Sequence, residues 1–121
     1  MKNIGLIGCG NIAETYFRAQ DYFNNINFIA CADKFPEAAK KCAEQYKIKL
    51  STVDEILNDS DVDIILNLTI PQAHYEISKL ALESGKHVYS EKPMSIKYDE
   101  AKYLLELANK KNLYFGNAPD T

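Results

Sequence analysis

No stretch of this chain approaches the roughly 20 consecutive apolar residues that cross a bilayer, and Met1-Lys2-Asn3 leads straight into a strand-like segment instead of a signal-peptide core. Neither a membrane span nor a secretory leader is expected, and the chain reads as cytoplasmic. Cysteine is scarce. Cys9, Cys31 and Cys42 are odd in number and lack metal-ligand spacing, which argues against a disulfide framework and against a metal site. Positive charge is not in excess: 14 Lys and Arg against 17 Asp and Glu give a net charge of -3, which speaks against a grip on nucleic-acid phosphates. Low-complexity tracts and internal linkers are missing, and 121 residues leave no room for a second full domain. The partners expected are small molecules and other protein subunits.

What the chain contains is short apolar runs rich in β-branched residues, alternating with longer segments of helical period, the pattern of βαβ units. Strands are predicted at 3–7, 27–32, 48–50, 63–68, 87–90 and 113–115. Between them, a helix over 11–22 places Ile12, Tyr16, Ala19 and Phe23 at helical spacing. Pro36 occupies a favoured first helical position before 37–46, and Thr52 with Glu55 forms a capping box for a brief helix to Leu57. Pro71 opens the next helix and Gly85 closes it, while Lys110 and Lys111 fall at the negative end of a helix over 99–111. The run Asp63-Ile64-Ile65-Leu66-Asn67-Leu68 is too continuously apolar for a half-exposed strand and belongs in the sheet centre. With right-handed crossovers these elements give an α/β fold, a doubly wound parallel sheet in the order 3-2-1-4-5-6. The helix breakers from Gly116 to Thr121 read as the start of a crossing to another domain. The tyrosines and phenylalanines read as core or subunit interface; without a basic groove they do not suggest base stacking.

Gly8-Cys9-Gly10-Asn11-Ile12-Ala13 has G-x-G-x-x-[GA] spacing between a predicted strand and a predicted helix. Gly8 permits the tight turn, Gly10 lets the backbone approach a pyrophosphate, and small Ala13 lets the helix pack close to the sheet. The phosphates would sit on free N–H groups at the helix start. Cys9 is small enough for that packing, and its place at a helix start also allows a lowered thiol pKa. Asp33 ends the second strand twenty positions after Ala13, where a carboxylate accepts hydrogen bonds from ribose hydroxyls and repels a 2'-phosphate. Lys34, next in the chain, can pair with such a phosphate, so NAD is favoured and NADP stays open. Across the switch point, Thr69, Pro71 and His74 are candidates for the nicotinamide side. Glu91-Lys92-Pro93 follows the fifth strand, and Lys92 can take the proton of an alcohol if its pKa is lowered; a solvated lysine is the plainer reading.

Together these segments resemble the glucose-fructose oxidoreductase, inositol dehydrogenase and rhizopine-catabolism (Gfo/Idh/MocA) family. The resemblance runs through Ile4 to Ala13, Ala32-Asp33, and Ala81 to Val88 leading into Glu91-Lys92-Pro93. It implies an NAD(P)-dependent dehydrogenase or reductase of sugars, cyclitols or related polyols, usually a homo-oligomer, whose substrate pocket lies in a C-terminal α/β domain that this chain lacks. It also implies that Lys92 contacts substrate and cofactor and assists proton transfer, with a partner histidine in that other domain, so that this chain alone is inactive. Two departures stand out. Aligned on His74, Ile70 and Pro71 take the places of the proline and asparagine of a common Thr-Pro-Asn, and Lys97 replaces a capping threonine. The expected cofactor set is Gly8, Gly10, Asn11, Ile12, Asp33, Lys34, Thr69, Pro71, His74, Glu91 and Lys92. A non-catalytic dinucleotide sensor and an S-adenosylmethionine methyltransferase share parts of this pattern.

Overall fold

The computed structural model describes residues 2–8, 26–69, 71–90 and 98–117, with residues 71, 72, 74 and 117 described by backbone alone. Its strands are β1 (Lys2–Ile7), β2 (Ile26–Ala32), β3 (Lys49–Leu50), β4 (Ile64–Asn67), β5 (His87–Ser90) and β6 (Phe115–Asn117). The helices among these residues are α1 (Pro36–Tyr46), α2 (Val53–Leu57), α3 (Pro71–Glu83) and α4 (Tyr98–Lys110). The strands pair in parallel in the expected order, β3-β2-β1-β4-β5-β6. The helix predicted over 11–22 lies outside the described residues.

The sheet carries apolar side chains on both faces, as a parallel sheet must when crossovers cover it. One face gathers Ile7, Ala30, Ala32, Ile65 and Val88 against Ile56 and Leu57 of α2, Ala81 and Leu82 of α3, and Leu104 and Ala108 of α4. The other gathers Ile4, Leu6, Phe28, Cys31 and Leu66 against Cys42 and Ala43 of α1. Small residues set the spacing: a Cβ on Gly5 would lie 2.6 Å from Ile56 Cγ2 and 3.2 Å from Val62 Cγ1. Ile4 pairs with Phe28 but Gly5 pairs with Ala30, so Ile29 is one residue more than the ladder needs. Such a bulge lets Ile29 and Ala30 face the same side and restores alternation beyond.

The local signals act as expected at three helix ends. Pro36 lies in the first turn of α1. The Thr52 hydroxyl accepts from the Glu55 N–H at 3.1 Å while the Glu55 carboxylate accepts from the Thr52 N–H at 2.9 Å. Gly85 takes φ +82° after α3, and its N–H and that of Lys86 return to the carbonyls of Leu82 and Ala81. Asn112 ends α4 in the left-handed region at φ 58°. This last turn moves β6. The Leu113 N–H is still spent on the Ala108 carbonyl, 2.8 Å away, so strand pairing starts at Phe115, and Gly116 lies in the strand instead of in a connecting tail.

Two lysines tie elements together in a way periodicity does not reveal. Lys111 does not cap its own helix: its Nζ donates to the Leu82 and Glu83 carbonyls at the end of α3. Lys86, only 7% exposed, donates from Nζ to the carbonyls of Asp59 and Val62 at 2.7 and 2.8 Å, fastening the α2–β4 turn to the start of β5. Lys86→Met keeps the aliphatic stem but strips two carbonyls of their donor. It should destabilise the fold by about 1–3 kcal/mol in chemical denaturation; a loss below about 0.5 kcal/mol would show that water replaces the ammonium.

Candidate dinucleotide site

Because the strands are parallel, their carboxyl ends share one edge. Gly8 follows β1, Asp33 follows β2, Thr69 lies two residues past the end of β4, and Ser90 ends β5 beside Asn67. The chain runs from β1 outward through β2 and β3, then returns to β4 on the other side of β1. The crevice at such a switch point is where ligands of doubly wound sheets bind.

Gly8 is held at φ +101°. Its N–H donates to the Ala32 carbonyl at 2.9 Å, and the Leu68 N–H donates to the Ile7 carbonyl at 2.8 Å, so both ladders run one residue past β1. A Cβ on Gly8 would lie 2.6 Å from the Leu68 carbonyl carbon, 2.7 Å from its oxygen and 2.8 Å from the Thr69 nitrogen. Glycine is therefore required twice over: the turn needs a left-handed residue, and the backbone leaving β4 fills the space of a side chain.

At the end of β2, Asp33 Oδ1 accepts from the Phe35 N–H at 2.8 Å, an Asx turn that fixes the carboxylate at the sheet edge. The same turn sends Phe35 outward, 66% exposed and outside the core, one of the two places expected for the aromatics. Lys34 Nζ rests 5.9 Å from its ring centroid. An exposed cation–π contact is worth about 0.5–1 kcal/mol, which does not anchor the ammonium firmly.

Past β4, Thr69 is half-buried, and both its N–H and its hydroxyl meet Asn67 Oδ1, at 3.1 and 2.6 Å. Asn67 is fully buried, and its Nδ2 donates to Ser78 Oγ of α3 at 2.9 Å. Neither Asn67 nor Ser78 was singled out from the sequence. The signal was a lone amide inside an apolar run, which must find hydrogen-bond partners when buried. Pro71 and His74 fall in the first turn of α3, with side chains outside the description. Cys9, Gly10, Asn11, Ile12, Glu91 and Lys92 lie outside the described residues. Thus Gly8, Asp33, Lys34 and Thr69 are the expected site residues whose surroundings are described, and they share one sheet edge.

Among the described residues no group of three or more His, Cys, Asp and Glu is arranged to hold a metal ion. No described helix is long and apolar enough to cross a membrane. Cys31 and Cys42 are free and buried.

A switch-point crevice beside an obligatory glycine turn, with a carboxylate at the next strand end, is the arrangement of a Rossmann dinucleotide domain. The model of the Gfo/Idh/MocA oxidoreductases, described as an oxidoreductase family with an NAD-binding Rossmann fold, matches residues 2–118, and the chain belongs to that family. The inositol 2-dehydrogenase of Rhizobium meliloti is 27% identical over 105 residues, which cover 87% of this chain and 32% of that protein. The solved WlbA dehydrogenase from Chromobacterium violaceum, in complex with NADH and UDP-GlcNAcA, is 28% identical with a TM-score of 0.88, covering 97% of this chain and 34% of that one. Biliverdin reductase from Synechocystis, in complex with biliverdin and NADP+, is 25% identical with a TM-score of 0.89, covering 95% and 37%. The chain spans about one-third of the length of each of these three proteins.

The residues present fit a dinucleotide: a turn at Gly8 that only glycine allows, and a carboxylate held at the neighbouring strand end. Gly8→Ala should destabilise the fold by at least about 2 kcal/mol, combining left-handed strain with overlap against backbone. Thermal or chemical denaturation reads this directly. An unchanged stability would mean that the β4 exit moves aside.

Proposed function

We propose that residues 1–121 form the dinucleotide-binding domain of an oxidoreductase that moves a hydride between a nicotinamide and an alcohol carbon of a sugar, cyclitol or related polyol. The observation that carries this reading is the Gly8 turn beneath the β4 exit, with Asp33 at the adjacent strand end, in a chain of this family. Relatives that act on inositol support the substrate class, although one solved neighbour holds biliverdin. In this reading Gly8, Gly10, Asn11 and Ile12 hold the pyrophosphate and Asp33 accepts from the ribose hydroxyls. Thr69, Pro71, His74 and Glu91 line the nicotinamide side. Lys92 orients the substrate hydroxyl and carries its proton. The bound nicotinamide supplies the hydride acceptor or donor. A substrate domain outside this chain completes the site in a cytoplasmic homo-oligomer.

Asp33 sets the cofactor preference. Its carboxylate, fixed by the Phe35 N–H, disfavours a 2'-phosphate, whereas Lys34 attracts one from a weak perch on Phe35. NAD should therefore bind more tightly than NADP, and Asp33→Ser should narrow or reverse the gap in titrations of both cofactors. Equal affinities in the wild type would show that Lys34 already offsets Asp33.

Hydride transfer also needs the alcohol carbon held about 3–3.5 Å from the nicotinamide, and such positioning can supply roughly 7–11 kcal/mol of the barrier. The 121-residue chain should accordingly bind NADH yet form none from NAD and a panel of inositols and sugars. Steady turnover by the chain alone would overturn the division of labour between two domains.

A further inference from the structure

We propose that Asn67 is a positioning residue that sets the hydrogen-bond polarity of Thr69, so that the Thr69 hydroxyl receives a donor group from the nicotinamide half of the dinucleotide. This rests on the reading of the β4 exit as the nicotinamide side. Asn67 ends β4 with no exposed surface, next to Ile65 and Leu66 in the core. A side chain needed only to fill that space would be aliphatic and would carry no desolvation penalty. What the amide adds is orientation.

The direction of each bond follows from which groups can donate. A backbone N–H only donates, so the Asn67 atom that meets the Thr69 N–H at 3.1 Å is the carbonyl oxygen, as placed. The amide nitrogen therefore faces Ser78 Oγ and donates to it at 2.9 Å. The Thr69 hydroxyl, 2.6 Å from the same Oδ1, has to give its only proton to that oxygen. Its remaining capacity is that of an acceptor. A ligand group bound by this hydroxyl must then be a donor, such as a ribose hydroxyl or the carboxamide NH2. A phosphate oxygen does not qualify.

The loop that presents this acceptor is clamped from two sides. Gly8 leaves no gap between the β1 end and the Leu68–Thr69 peptide, where even a Cβ would approach to 2.6 Å. Ser78, fully buried on α3, holds Asn67 from the helix side. With Ser78→Ala, Oδ1 keeps the Thr69 N–H, but Nδ2 loses the acceptor that Ser78 supplies, so the amide is held with less restraint.

The test compares NADH with ADP, which carries the adenosine and the two phosphates but no nicotinamide half. Both are titrated calorimetrically into the wild type, Ser78→Ala, Thr69→Val and Thr69→Ser. Ser78→Ala and Thr69→Val should each weaken NADH by about tenfold, the worth of one hydrogen bond, while ADP affinity stays within about twofold. Thr69→Ser, which keeps the hydroxyl, should recover most of the NADH affinity lost with valine. Parallel losses for NADH and ADP, or no loss of NADH with Ser78→Ala, would overturn the positioning role and leave the proposed function standing. A wild type that binds ADP but not NADH would overturn both.

Discussion

Gly8 lies so near the peptide that joins Leu68 to Thr69 that a Cβ added to it would come within 2.6 Å of that backbone. Much of the site's geometry depends on this approach. It brings the end of β1 against the exit of β4 at the point where the connections reverse, and it leaves no freedom for either chain to drift. Asp33 is tied in through the bond from the Gly8 N–H to Ala32. Thr69 is tied in through Asn67. The polar groups at the edge are thus held by main chain, the least adjustable part of a protein, with side chains adding direction.

The rest of the fold keeps that edge in register by modest means. Glycine at position 5 lets α2 settle close to β1, and alanines on β2, α3 and α4 do the same on the larger face. Lys86 and Lys111 reach across to carbonyls at the ends of neighbouring elements, where a helix or turn has exhausted its own donors. His87 Nδ1 accepts from the Tyr114 N–H at 3.0 Å and so joins β5 to the chain just before β6. These bonds lie away from the candidate site, and they hold the layers whose edge forms it.

The alternation of apolar runs, the glycine turn, the capping box at Thr52 and the helix end at Gly85 were all legible because each depends on neighbours within a few residues. Strand order was legible because chain direction and handedness leave few choices. What escaped the sequence depends on distant partners. The start of β6 hinges on where the Leu113 N–H goes, and the periodicity of α4 does not say. Lys111 reads from the sequence as a charge at the negative end of its own helix, and its Nζ bonds to the end of α3 were not visible there. Asn67 was hidden by the apolar run around it, and its meaning appears only when Ser78 and Thr69 are seen on either side. Phe35 faces solvent because an Asx turn, a local signal, outweighs its hydrophobicity. The roles assigned to Gly10, Asn11, Ile12, Glu91 and Lys92 rest on sequence pattern and family resemblance.

The bulge at Ile29 bears on how β2 and its carboxylate relate to what precedes them. In an unbroken strand, side-chain facing is a parity count, and one inserted or lost residue inverts everything downstream. Here the count is interrupted. Phe28 faces α1 in step with the first half of the strand, while Ala30, Cys31 and Ala32 take their facing from β1 and β3. Both halves pair with β1, Ile26 to Phe28 with Lys2 to Ile4 and Ala30 to Ala32 with Gly5 to Ile7, with Ile29 as the slack between them. A change of length upstream can therefore be absorbed at the bulge, and Asp33 still leaves the sheet on the side that β1 dictates.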